Sequence, residues 1–195
     1  MEIDKTYRYC VLSNRKKNYL GVTKAGKVDV KGLTGKKSHT PPFIKKLFYE
    51  LLDVLSKVQT QEDFNNAKKE ISEKIAVCGK KVEAKEIPLE DLTFNVMLSK
   101  SPSEYTKTIP QHIRAAKQLE TIREVKRGDR ISYIKILNKP GVKPVEMAKK
   151  EEIDSKKYME FMESTLEQIT SSMDLDFDTI LGKPKQTGLD EFFWN

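Results

Sequence analysis

Residues 6–30 read TYRYCVLSNRKKNYLGVTKAGKVDV, three short runs of β-branched and aromatic residues broken by turn-prone dipeptides. The runs are 6–12, 18–23 and 27–30, with Ser13-Asn14 and Ala25-Gly26 between them, a pattern of short strands joined by tight turns. A small antiparallel β-meander is expected. The period then changes. After a loop from Lys31 to Pro42, Pro41-Pro42 suit a helix start. Ile44, Leu47, Phe48, Leu51, Leu52, Leu55 and Val58 then recur at helical spacing and mark a buried face. A meander feeding a mainly helical unit predicts an α+β fold.

Working outward, Thr60 with Asp63 three residues on predicts a capping box for a second helix, whose stripe is Phe64, Ala67, Ile71 and Ile75. Residues 89–99 fit helix and strand equally. Pro110 opens a third helix expected to reach about Glu124. Residues 130–137 (RISYIKIL) alternate as a strand does, and Asp154 is placed to cap a last long helix with Tyr158, Phe161, Met162, Leu166 and Ile169 inward. Gly182, Lys183, Pro184 and Lys185 read as a flexible leash. The expected organisation is a meander at 1–39, a mainly helical domain with a short strand pair at 40–181, and a flexible tail at 182–195.

The chain has 195 residues, enough for a real core, with 33% charged and 37% apolar residues. Its net charge is +7 and its pI near 9.2, yet acids are plentiful, so the basic excess is local. A local excess suits a polyanionic partner such as nucleic acid, or less often an acidic membrane surface. No apolar run approaches membrane-spanning length and no signal peptide opens the chain, so a cytoplasmic location without a membrane partner is expected. Cys10 and Cys78 lack CxxC spacing and are expected as buried, reduced thiols. There is no glycine-rich phosphate loop, no HExxH, no Cys/His metal spacing and no serine nucleophile motif. His39 and His112 have no carboxylate at relay spacing. Asp174, Asp176 and Asp178 lack the ligand count of a calcium loop and read as a helix-start cluster. No catalytic or metal-binding residue is assigned to this chain.

Basic residues gather in three places. Lys16 and Lys17 stand beside Tyr19 at the first turn, where ammonium groups and a flat ring suit a nucleic-acid backbone. A charged hairpin turn with Tyr19 packed in its sheet would carry the same residues. Lys36, Lys37 and His39 follow two glycines that allow backbone N–H groups close to phosphate, although a solvated loop looks similar. Tyr105, Lys107, Gln111, His112 and Arg114 surround a predicted helix start, where free N–H groups and the helix dipole favour phosphate. His112 serves equally well as a cap or core residue.

Near the end, Gln186, Leu189, Phe192 and Phe193 spell Q-x-x-L-x-x-F-F. Positions i, i+3 and i+6 nearly eclipse in a 3₁₀ turn. The string resembles the peptide (PIP box) by which replication and repair proteins hold the sliding clamp. The alternative is an aromatic pair docked on its own domain.

The ordered segments KKNYLG, GKVDVKGLTGKKSHTPPF, EYTKTIPQHIRAAKQL, GDRISYIKIL, VKPVEMA and DSKKYMEF resemble the C-terminal part of archaeal family-B DNA polymerases, over essentially the whole chain. The resemblance implies that 1–39 is the edge of the palm and 40–181 the thumb. It implies that Lys16, Lys17 and Tyr19 match the family's KKxY element on primer–template duplex, and that Lys36 and Lys37 stand where many members carry two arginines. Tyr105 to Ala116 would match the thumb segment that grips duplex backbone. His39 and Ser38 depart from the Trp and Asp common there. The family's metal-binding aspartates have no counterpart and would lie upstream of Met1. The resemblance therefore implies the small, C-terminal subunit of a split polymerase, or a truncated piece of one. Its partners would be duplex DNA, the sliding clamp and a larger catalytic polypeptide holding magnesium, with no cofactor on this chain and no synthesis by it alone. The rival is a non-enzymatic module that binds DNA and recruits the clamp.

Overall fold

In the computed structural model the described residues are 5–12, 19–32, 35, 37 and 39–183. The meander forms as expected: β1 (Tyr7–Leu12), β2 (Tyr19–Thr23) and β3 (Val28–Lys31) pair antiparallel in that order. The pleat sends Leu20 and Val22 into the core and leaves Tyr19 and Gly21 on the other face. Gly21 is needed there, because the Tyr7 ring occupies the space a Cβ would take. The Tyr9 hydroxyl donates to the Leu55 carbonyl and ties the meander to the first helix. Burial pushes the Tyr9 phenol up to about 12.

Helix α1 (Pro42–Ser56) starts with Pro42 in its first turn, where a missing N–H breaks no helical bond. Ile44, Phe48, Leu51 and Leu55 are fully buried along one stripe. Helix α2 (Gln61–Glu83) opens with the expected capping box: Thr60 Oγ1 accepts from the Asp63 N–H at 3.1 Å, and Asp63 Oδ2 accepts from the Thr60 N–H at 2.9 Å. Hydrogen bonding with the Thr60 side chain and with the Gln59 and Thr60 N–H groups holds the Asp63 carboxyl below its usual range. Helix α4 (Ser155–Thr170) is capped by Asp154 as anticipated. Asp176 caps the short α5 (Phe177–Ile180), with Asp178 in its first turn, so that part of the acidic trio does mark a helix start.

The ambiguous segment resolves into a tight turn at Leu89–Leu92 followed by β4 (Phe94–Met97). With β5 (Arg130–Lys135) and β6 (Val142–Pro144) it makes a three-stranded antiparallel sheet, not the expected pair. β6 hides from pattern reading because it is three residues ending in proline, which a sheet tolerates at an edge. Helix α3 (Gln111–Leu119) stops five residues before the expected Glu124. Its buried face runs out at Leu119, and Thr121 Oγ1 takes the Gln118 carbonyl at 2.7 Å while the chain tightens into a turn. Cys10 is exposed and Cys78 half-buried, against the expectation for both. Cys10 shares the open face of the first sheet with Gly21, its paired residue. Among the described residues, no helix is long and apolar enough to cross a membrane.

An aromatic joint binds the second sheet to α4. Phe94 stacks on Tyr133 at 5.5 Å and on Tyr158 at 6.0 Å, and meets Phe161 edge-on at 5.3 Å. The Tyr158 hydroxyl, fully buried, donates to the Leu92 carbonyl at 2.8 Å and accepts from the Lys135 N–H at 3.0 Å. Tyr158→Phe takes the partner from the buried Leu92 carbonyl and the half-buried Lys135 N–H. We expect a loss of about 1–3 kcal/mol, seen in thermal melts as a fall of about 2–4 °C per kcal/mol for a chain of this size.

Candidate nucleic-acid interface

The start of α3 gathers most of one predicted group. Residues 99–105 are folded on themselves: Pro102–Glu104 forms a 3₁₀ turn in which the Ser101 N–H donates to Glu104 Oε1 at 2.9 Å. That turn presents Tyr105, whose hydroxyl lies 3.1 Å from Ser99 Oγ and whose ring meets His112 edge-on at 6.4 Å. Pro110 precedes the helix without any side-chain cap for the Gln111 and His112 N–H groups, beside the exposed Lys107 and Gln111, while the Ile113 N–H goes to the Pro110 carbonyl at 3.0 Å. Unsatisfied donors, a cation and hydroxyls around one helix terminus form a surface suited to an anion.

Arg114, exposed like Lys107, also bonds to backbone. Its Nε donates to the Ile109 carbonyl at 3.1 Å and its Nη1 to the Pro140 carbonyl at 3.4 Å. It staples the loop before α3 to the turn between β5 and β6, and so holds Lys107 and His112 in place. Gln118 adds a second staple, donating to the Val142 carbonyl at 3.0 Å. His112 is half-buried, and desolvation holds its pKa below the ordinary histidine value.

Tyr19, from another group, belongs to the first sheet. Tyr19 opens β2 opposite Lys31, and its hydroxyl lies 3.3 Å from that of Tyr7, with the two rings edge-on at 6.0 Å. The Tyr7 hydroxyl donates to Asp29 Oδ2 at 2.7 Å, and the Lys5 ammonium reaches the same oxygen at 2.8 Å. Hydrogen bonds to Tyr19 and Asp29 hold the Tyr7 phenol far above its usual range. Tyr19 is thus oriented by neighbours that sequence inspection did not single out. The only available signal was strand register, which sets Tyr19, Gly21 and Asp29 on one face. Lys37 and His39 are exposed on the approach to α1. Lys16, Lys17, Lys36, Gln186, Leu189, Phe192 and Phe193 lie outside the described residues.

Among the described residues no group of three or more His, Cys, Asp or Glu side chains is placed to hold a metal ion. An open hollow of about 770 Å³ lies between α1 and α2 beside Val77 and Cys78. Burial pushes the Cys78 thiol up to about 11, which keeps it protonated at neutral pH and poor as a nucleophile.

The family model for DNA polymerase family B matches residues 1–179. The chain is 40% identical over 194 residues to DNA polymerase 1 of Saccharolobus solfataricus, covering 99% of this chain and 22% of that protein. It is 42% identical over 176 residues to DNA polymerase 1 of Sulfurisphaera ohwakuensis, covering 90% and 20% respectively. It therefore spans about a fifth of the length of these curated relatives. The solved structure of the family B DNA polymerase from Pyrobaculum calidifontis superposes with a TM-score of 0.63 at 18% identity, covering 96% of this chain and 22% of that one, which shows a shared fold.

The depressed His112 pKa has a consequence of definite sign. The unfolded chain binds a proton near the ordinary histidine value of 6.5 that the folded chain resists. His112 thus leaves stability undiminished above that pH and lowers it as pH falls toward the folded value. Urea melts between about pH 7 and pH 5 should show a shallower decline for His112→Gln than for the parent.

Proposed function

Since the chain belongs to DNA polymerase family B, we propose that it is the part of a DNA polymerase that grips newly made duplex: palm edge at 1–39, thumb at 40–181, clamp-tethering tail at 182–195. The observation that carries this reading is the start of α3, where Tyr105, Lys107, Gln111 and His112 surround a helix terminus that no side chain caps. There Lys107 and Gln111 would take phosphate oxygens together with the first-turn N–H groups. Arg114 would keep them in place from behind through its carbonyl staples. Lys16, Lys17, Lys36 and Lys37, with Tyr19 and His39, would follow the backbone on the palm side. Such contacts ignore base identity and weaken as salt rises, which suits an enzyme that must hold any sequence it has copied.

We assign the magnesium-binding carboxylates to a larger polypeptide, with this chain as the small subunit of a split, cytoplasmic polymerase. Several acids of this chain are committed to its own fold: Asp29 to Tyr7 and Lys5, Asp63, Asp154 and Asp176 to helix starts, Glu152 to Lys143 at 2.7 Å. The chain's part in catalysis is then positional: it keeps the primer end aligned while the partner carries out nucleotidyl transfer. The tail residues Gln186, Leu189, Phe192 and Phe193 would plug the sliding clamp.

Primer extension tests the division of labour. The chain alone should add no nucleotide, and synthesis should appear when the larger polypeptide is supplied; synthesis by the lone chain would overturn the proposal. A chain that binds duplex and clamp yet stimulates no catalytic partner would instead be an accessory module. Phe192→Ala with Phe193→Ala should abolish clamp binding without shifting the melting temperature, whereas a falling melting temperature would place the tail in the core.

A further inference from the structure

The turn entering β5 is held rigidly yet carries cations with nothing to hold. The Gly128 N–H donates to the Leu98 carbonyl at 2.8 Å, and the Leu98 N–H to the Asp129 carbonyl at 2.8 Å. The Lys126 N–H donates to Asp129 Oδ2 at 3.0 Å, and Arg123 Nη1 lies 3.6 Å from the same oxygen. Gly128 takes φ +92°, open only to glycine without strain. Asp129 is thus occupied with building the turn, leaving Glu124 as the acid beside it. Lys100, Lys126, Arg127 and Arg130 are exposed, and their side chains make no hydrogen bond or ion pair with any described residue. On the helices, by contrast, Lys57, Lys74 and Lys157 each face an acid one turn away.

The location matters as much as the charge. Phe94 and Tyr133 turn toward α4, so the alternate residues Arg130, Ser132 and Ile134 face the opposite side of the sheet. Met97, 70% exposed, is paired with Arg130 and shares that side. The chain from Leu98 to Lys100 connects the turn to the α3 site, since Ser99 touches Tyr105. A fixed row of cations with an apolar methionine beside it suits a sugar–phosphate backbone better than a small free anion.

We propose that Lys100, Lys126, Arg127 and Arg130 form a second phosphate-contacting strip that carries the α3 grip further along the duplex backbone. This rests on the duplex-gripping reading above and adds residues that reading does not use. The test is fluorescence anisotropy of a labelled primer–template duplex with the full chain, titrated between about 50 and 200 mM salt. Lys126→Ala with Arg127→Ala should make the slope of log K against log salt shallower by about 1.8, two contacts at about 0.9 each. The parent's advantage over the variant should then shrink roughly tenfold across that range. The charge-preserving pair Lys126→Arg with Arg127→Lys should keep the parent slope, and all variants should melt like the parent because only exposed, unbonded side chains change. An unchanged slope in the folded alanine variant, while Lys107→Ala weakens binding, overturns the strip and leaves the α3 grip standing. Absence of any salt-sensitive duplex binding by the parent removes both.

Discussion

One buried hydroxyl fixes where the proposed working surface sits. Tyr158 reaches from α4 to the Leu92 carbonyl just before β4 and to the Lys135 N–H at the end of β5. The Leu92 carbonyl is buried, so a sheet seated elsewhere on α4 leaves that acceptor without its partner. The rings of Phe94, Tyr133 and Phe161 close around that bond and add apolar area to it. The same sheet carries α3 against β5 and β6, and with it Tyr105, Lys107 and His112. The proposed interface is thus positioned through a core contact of the sheet that carries it.

Charge divides in a similar way between structure and surface. Lysines on helices tend to meet carboxylates one turn away, and those exposed pairs contribute little to stability. In the turn into β5, Asp129 is taken up by the Lys126 N–H and Arg123, and the Lys126 and Arg127 side chains meet no acid among the described residues. The net charge of +7 is therefore concentrated where backbone geometry, not helical spacing, sets the neighbours. A protein that associates with a polyanion benefits from that arrangement, since its folding does not depend on the cations its ligand would neutralise.

Long periodic elements were legible from the residues alone. The meander, the stripe of α1, the Thr60–Asp63 cap and the Asp154 cap all appear where spacing and capping chemistry put them. Local pattern failed where tertiary contacts decide. β6 is too short for alternation to register, and the end of α3 depends on where its buried face stops. Cys10 is exposed because strand register puts it opposite Gly21, on the side away from α1. At the site, Tyr105, Lys107, Gln111 and His112 were foreseen as a group from a helix start with basic and hydroxyl neighbours. The staple role of Arg114 was not, because its carbonyl acceptor at Pro140 lies 26 residues away in sequence.

Pro144 closes β6 at the rim of the second sheet, paired inward with Tyr133. Proline offers no N–H on its outer side, so a foreign strand arriving there finds an interrupted row of donors. With the Val142 carbonyl already taken by Gln118, that rim is a poor template for a second copy's strand.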